Sequence, residues 1–274
     1  MSNQIPAPGT AQSGAVGMSM RPKRVRPRIA QAVPGIVPLA SVALFLVVWE
    51  LSSGTLISSY FIASPSAVWQ QLIAWAGDGY LAKHLVATLS GVALSFVVAS
   101  IVGVGLAVVL GSSRTADRVL YPFVVGGFTI PRIALAPLFI VWFGVGFVPA
   151  VALGVLTAFF MVFFNAYSGI RNTSQALLDI SQILGASRIQ RALKFRLPAS
   201  APFVFEGLRV GAIYAFHGVV VGEIVASSTG LGYVIIYSAT RANPAGVFAG
   251  LVVIGLLATV FVAALNWAQR HTPG

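Results

Sequence analysis

Apolar runs close to the length of a membrane crossing repeat along the whole chain, separated by short polar breaks, and one long polar interruption falls between residues 172 and 209. A helix needs about 20 mostly apolar residues to cross about 30 Å of hydrocarbon, and it satisfies its own backbone hydrogen bonds there. The pattern predicts six such helices, over about 34–51, 85–110, 122–143, 148–167, 203–226 and 245–267. The third is the least regular, because Pro131 and Pro137 interrupt it with Arg132 between them. Between the first two, Val68, Leu72 and Trp75 share one face of a short amphipathic helix beside Trp69, expected at the outer interface where indole rings settle. Gly91, Gly103 and Gly105 on the second span leave room for another helix to come close.

Composition agrees with this pattern. Of 274 residues, 57% are hydrophobic and 8% charged, with a mean hydropathy of +0.90, which excludes a soluble enzyme. Three His, six scattered acidic residues and no Cys form no metal-ligand or acid–base cluster, so neither catalysis nor a cofactor is expected of this chain. The formal charge of +11 need not mean nucleic acid, because membrane proteins retain basic residues on the cytoplasmic side. Of the 17 Lys and Arg residues, all except Lys83, Arg241 and the intramembrane Arg132 fall on one side of a six-span topology, which predicts both termini in the cytoplasm. Residues 1–30 read as a disordered basic cytoplasmic tail, with Arg21, Lys23, Arg24, Arg26 and Arg28 as a collar, ahead of a transmembrane domain over 31–270. The first apolar run lacks a clear cleavage site and reads as a retained anchor.

The polar interruption has its own order. A first helix is expected from near Asn172, with Ala176, Leu177, Ile180 and Leu184 along one face, ended by Gly185 in the left-handed conformation. Ser187 and Gln190 have capping-box spacing and open a second helix carrying Arg188, Arg191 and Lys194, which Pro198 is expected to stop. Taken alone, such a basic loop could lie on lipid head groups or seat a partner. An apolar stripe with defined caps favours the partner.

The same residues resemble the loop of importer permeases in the ATP-binding-cassette superfamily. Its motif is Glu-Ala-Ala, three residues, Gly, nine residues, Ile, one residue, Leu-Pro. Asp179, Ile180 and Ser181 stand at the Glu-Ala-Ala positions, Gly185 at the Gly, Phe195 at the Ile, and Leu197 and Pro198 at the end. Leu184-Gly185-Ala186-Ser187-Arg188, Gly207-Leu208-Arg209, Glu223, Gly230-Leu231-Gly232-Tyr233, Ser64-Pro65-Ser66 and Trp142-Phe143-Gly144 resemble the nitrate/sulfonate/taurine-type branch, over most of residues 45–267. Two departures are a shorter acid and bulkier or more polar neighbours in Asp179-Ile180-Ser181, and Phe128-Thr129-Ile130-Pro131-Arg132-Ile133-Ala134 where the branch often has Arg-Pro-x-Pro-Pro-Leu-Ala.

The resemblance implies an all-α, type I importer-like bundle of six transmembrane helices in a bacterial inner membrane. It further implies that two copies of the permease enclose a path and that two ATPase subunits, which bind ATP and Mg, dock on the loop, at about 169–202. The loop residues expected to couple to the ATPase are Asp179, Ile180, Ser181, Gly185, Ala186, Ser187, Leu197 and Pro198. An extracytoplasmic binding protein would deliver a small solute, with a sulfonate, taurine or nitrate expected. No Gly-x-x-x-x-Gly-Lys run occurs, so ATP would be hydrolysed by another chain. Charge is expensive inside a membrane, which makes Arg132 and Glu223 candidates for the path beside Pro131, Pro137 and His217, with Glu223 as a partner for Arg132 when the path is empty. Snorkelling by Arg132, a structural hydrogen bond for Glu223 and a helix contact for His217 stand beside that reading. The alternative function is a secondary transporter or channel driven by an ion gradient, although no inverted repeat is visible.

Overall fold

The computed structural model describes residues 36–270, with side chains over 37–267. The basic tail expected over 1–30 lies outside the described residues. The chain divides after Phe45. Of the first unit, the opening turns of α1 (Ile36–Ser52) are described, and the second unit, Leu46–Gly274, holds all the other helices. The described residues are helical apart from turns and one isolated bridge between Ser53 and Ile57.

Three long helices form the centre of the second unit: α3 (Tyr80–Ser112), α6 (Phe147–Arg171) and α10 (Ala201–Ala226). The sequence brings them together through stripes of small residues. On α3, Gly91, Ser95, Ala99, Gly103, Ala107 and Gly111 recur every fourth position and are all buried. That spacing puts them on one face, where α6 approaches without long side chains in the way. Ser95 donates to the Val151 carbonyl at 3.0 Å across this contact. A similar stripe on α10, including Gly211, Ala215, Gly218 and Gly222, meets α6. Gly105 is outside the α3 stripe: no atom lies within 4 Å of where its Cβ would be. Large side chains such as Phe163, Leu110 and Ile170 fill one end of the core, and Val92, Phe216 and Val219 the middle.

The expected third span is broken in two. α4 (Arg114–Thr129) and a 3-10 turn at Arg132–Leu135 running into α5 (Ala136–Phe143) are bent by 92°. The break sits at Ile130 and Pro131, whose backbones are extended. A residue before proline avoids the helical region and proline itself has no N–H to continue the ladder, so Pro131 ends α4. Pro122, inside α4, ends nothing. Among the described residues four helical stretches are long and apolar enough to cross a membrane: Tyr80–Ser112, Phe147–Arg171, Ala201–Thr240 and Pro244–Trp267. The bent pair adds a fifth if it counts as one span, and α1, apolar over Val37–Ser52, is shorter.

The third of these stretches contains α10, a turn at 227–230 and α11 (Leu231–Thr240), so the expected loop after α10 is mostly helical. α2 (Pro65–Gly77) forms where its amphipathic pattern predicts, capped by Ser64, whose Oγ accepts from the Ala67 N–H at 3.2 Å. Its Val68 and Trp75 are buried against Val234 of α11 and Ala249 of α12 (Pro244–Arg270), while Trp69 stays exposed. α2 is thus a cover for α11 and α12 as well as an amphipathic surface helix.

Candidate functional site

The loop between α6 and α10 begins with α7 (Gln175–Ile183), which starts after Ser174, three residues later than the pattern suggests. The turn that follows is built as expected. Gly185 has φ +71°. Its N–H donates to the Gln182 carbonyl at 3.0 Å and the Ala186 N–H to the Ser181 carbonyl at 3.0 Å, the paired bonds of a Schellman motif. Ser187 then caps α8 (Arg188–Gln190): the Ser187 N–H donates to Gln190 Oε1 at 2.9 Å and the Gln190 N–H to Ser187 Oγ at 3.3 Å, a complete capping box. Gly185, Ser187 and Gln190 therefore fix the angle between two helices through local backbone and side-chain hydrogen bonds.

Beyond α8 the chain differs from expectation, because Pro198 does not stop the helix. A π-helical segment, Arg191–Arg196, leads into α9 (Leu197–Ala199), and α10 begins two residues later. Pro198 has no N–H for the Lys194 carbonyl and its ring crowds that oxygen, which the wider π turn accommodates. Ser200, fully buried, donates from Oγ to the Leu197 carbonyl at 2.9 Å and joins α9 to α10.

The faces of α7 are also distinct. Leu178 and Ser181 point inward, with Ser181 fully buried and its Oγ on the Leu178 carbonyl at 2.6 Å. Asp179 accepts from the Gln175 amide at 2.9 Å. Of the residues expected as an apolar stripe, Leu177 is half-buried while Ile180 is 54% exposed and Leu184 70%, and nearby in the chain Ile183 and Ile189 are also exposed, at 85% and 72%. The last two were not among the sequence candidates, although their hydrophobicity beside the glycine turn is a signal that could have found them.

The intramembrane candidates fall into two separate places. Arg132 lines a cavity of about 290 Å³ with Thr157, Tyr214 and His217. Its guanidinium lies over the rings of Phe128 at 4.8 Å and Phe160 at 5.5 Å, and its Nε is buried without a hydrogen-bond partner. Pro131 is the extended residue before the 3-10 turn, and Pro137 sits in the first turn of α5, so both set the direction in which Arg132 emerges. Tyr214 was legible as a companion of His217, one helical turn away on α10, whereas Thr157 comes from α6 and no spacing announces it.

Glu223 is not at that cavity and pairs with no Arg132; the expected ion pair is absent. Its carboxylate accepts from Thr88 Oγ1 at 2.8 and 3.0 Å and from the Gly232 N–H at 2.9 Å. The Leu231 N–H donates to Thr88 Oγ1 at 2.8 Å and the Gly230 N–H to His84 Nδ1 at 3.0 Å. Glu223 sits about 9 Å along the helix from His217, and the polar turn at 227–230 comes within its reach first.

A bundle of long apolar helices joined by small-residue contacts, with a capped polar loop, defines a polytopic membrane protein. Residues 99–272 match the family described as binding-protein-dependent transport system inner membrane component, and the chain belongs to that family as a permease subunit of an ATP-driven importer, integral to the inner membrane. It is 36% identical over 232 residues to a probable ABC transporter permease protein of Haemophilus influenzae, covering 84% of this chain and 94% of the relative. It is 30% identical over 239 residues to the taurine transport system permease protein TauC of Escherichia coli, covering 85% and 87%. The fold is shared with a chain of the MetNI methionine ABC transporter solved in inward-facing conformations, at a TM-score of 0.60 and 20% identity over 67% of this chain and 92% of that one.

Proposed function

We propose that the loop is where the transporter's ATPase docks, and that two copies of this permease pair around a path served by two ATPase subunits and an extracytoplasmic binding protein. The observation that carries this reading is the exposed apolar cluster of Ile180, Ile183, Leu184 and Ile189 on a turn held rigid by its own caps. Burying such side chains against a partner is worth about 1.5–3 kcal/mol each before ordering costs, and the prepared turn keeps those costs low. Asp179, Ser181, Gly185, Ala186, Ser187, Leu197 and Pro198 shape and anchor that surface. ATP and Mg belong to the partner ATPase. The loop is cytoplasmic, as are both termini, with six crossings between them and the basic residues of 1–30 as a tail before the permease domain of 31–270.

The path passes the Arg132 cavity. Its unpartnered guanidinium nitrogen, with Thr157, Tyr214 and His217 beside it, suits a small anion such as a sulfonate, taurine or nitrate. Pro131 and Pro137 hold that segment in place.

Gly185→Val tests the docking. At φ +71° a β-branched residue is strained, yet no atom lies within 4 Å of the new Cβ, so the damage stays in the turn. The variant is expected to insert in the membrane at the wild-type level, lose ATP-driven uptake in vesicles and fail to retain the ATPase on purification. Uptake at the wild-type rate would overturn the assignment.

A further inference from the structure

Between the loop and the corner where α3 meets α4 lies a cavity of about 680 Å³. Arg114, Arg188, Arg191 and Arg196 line it, and Asp179 is the one carboxylate in its wall. Asp179 is already engaged by the Gln175 amide, and among the described residues none of the four guanidiniums is ion-paired. Arg191 reaches Gln182 Oε1 at 3.4 Å, while its Nε is buried without a hydrogen-bond partner. Arg196 donates to the Gly111 carbonyl. Burial, and then the Arg191 and Arg171 charges, push Arg196 below the ordinary arginine value. Cations crowded in this way repel one another, and an anion seated among them removes that cost.

The remaining wall is mixed: Val108, Val109, Leu178 and Leu193 contribute its apolar part, beside polar residues such as Ser112 and Gln182. Val109 is also the last member of an open stripe on α3: Val98, Val102, Gly105 and Val109 follow at three- and four-residue spacing on one face. The three valines are 36%, 50% and 52% exposed, and the space over Gly105 is empty. A soluble anion makes no use of such a stripe, whereas an amphiphile uses both parts.

We infer that this corner binds an anionic phospholipid, with its phosphodiester on Arg114, Arg188 and Arg191 and its acyl chains along Val98, Val102, Gly105 and Val109. Arginine suits that headgroup because its planar fork matches phosphate oxygens. The lipid supports α7 from the side of Leu178 and Asp179. Resting on the reading of the loop as an ATPase seat, it steadies that seat and makes coupling sensitive to anionic lipid.

Because the chain has no cysteine, Ser112→Cys provides a single attachment point for bimane in the cavity wall. The labelled full-length chain, reconstituted in nanodiscs, is titrated with dibrominated phosphatidylglycerol and, separately, dibrominated phosphatidylcholine. Phosphatidylglycerol should quench at the lower mole fraction, and R114Q/R191Q should raise the mole fraction needed by about tenfold. R118Q, outside the cavity, should leave it unchanged, and inorganic phosphate should not reverse the quenching. Gly105→Leu, directed into open space, should weaken quenching by obstructing the acyl seat. Equal quenching by the two lipids, an unshifted R114Q/R191Q titration, an unshifted Gly105→Leu titration, or reversal by inorganic phosphate, which would mark a soluble-phosphate site, would each overturn the proposal. Quenching requires neither uptake nor an ATPase, so a failed docking role for the loop would leave this result standing, and the reverse also holds.

Discussion

Glu223 is 3% exposed, and every hydrogen bond it accepts serves to hold the turn after α10. Glu223→Ala leaves the Thr88 hydroxyl and the Gly232 N–H without this acceptor in a buried place, at a cost of about 1–3 kcal/mol for each orphaned group. The full-length variant should therefore melt several degrees below wild type in detergent, whereas Glu223→Gln, which keeps one acceptor oxygen, should melt between the two. Unchanged melting together with a weakened apparent affinity for the transported anion would instead return Glu223 to the path. Arg132 contrasts with it in chemistry: its donor is unsatisfied and faces a cavity, so a ligand has something to complete.

Among the helices, α6 and α10 approach closely enough to exclude a side chain at Gly222. A Cβ on Gly222 would lie 2.5 Å from the Ala150 Cα and 3.0 Å from its carbonyl oxygen, and neither backbone atom can move without moving the helix. Gly222→Val should lower thermal stability by about 1–3 kcal/mol or more, as overpacking typically does, and Gly105→Ala on α3, which meets nothing, should be neutral or slightly stabilising. Equal melting of the two variants would contradict this packing. Much of the architecture was legible in the chain: long apolar runs gave α3, α6, α10 and α12, and the Gly185 turn and the Ser187 cap follow from local chemistry that tertiary contacts do not override. The 92° break was only half legible, because Pro131 marks where a helix ends but not where the next one points. Thr88 as a partner of Glu223 and Thr157 as a neighbour of Arg132 in its cavity were not legible, since spacing reports neighbours on one helix and both pairs come from different elements.

For the whole molecule, the crossing count turns on whether the bent pair traverses the bundle or returns to the side it left. Asp117, in the first turn of α4, accepts from Tyr167 Oη at 2.5 Å and Arg171 Nη1 at 2.9 Å, which puts the start of α4 beside the end of α6. α6 is 25 residues long, about 37 Å at 1.5 Å per residue. At its other end the Gly146 N–H meets the Ala226 carbonyl at 2.7 Å, at the opposite end of α10 from the loop. The chain between Asp117 and Gly146 therefore travels the length of α6, which predicts that α4 and α5 together make one crossing despite their bend. With α3 and α6 that is an odd number of crossings between residues 58 and 187. Single cysteines at Ser58 and Ser187, both exposed and each placed in the otherwise cysteine-free chain, should consequently report opposite sides. A membrane-impermeant maleimide should label Ser58→Cys in intact cells and Ser187→Cys only after permeabilisation. Labelling of both in intact cells would make the bent pair re-entrant and would separate Arg114 and Arg118 from the arginines of the loop, against the charge asymmetry that orients the chain.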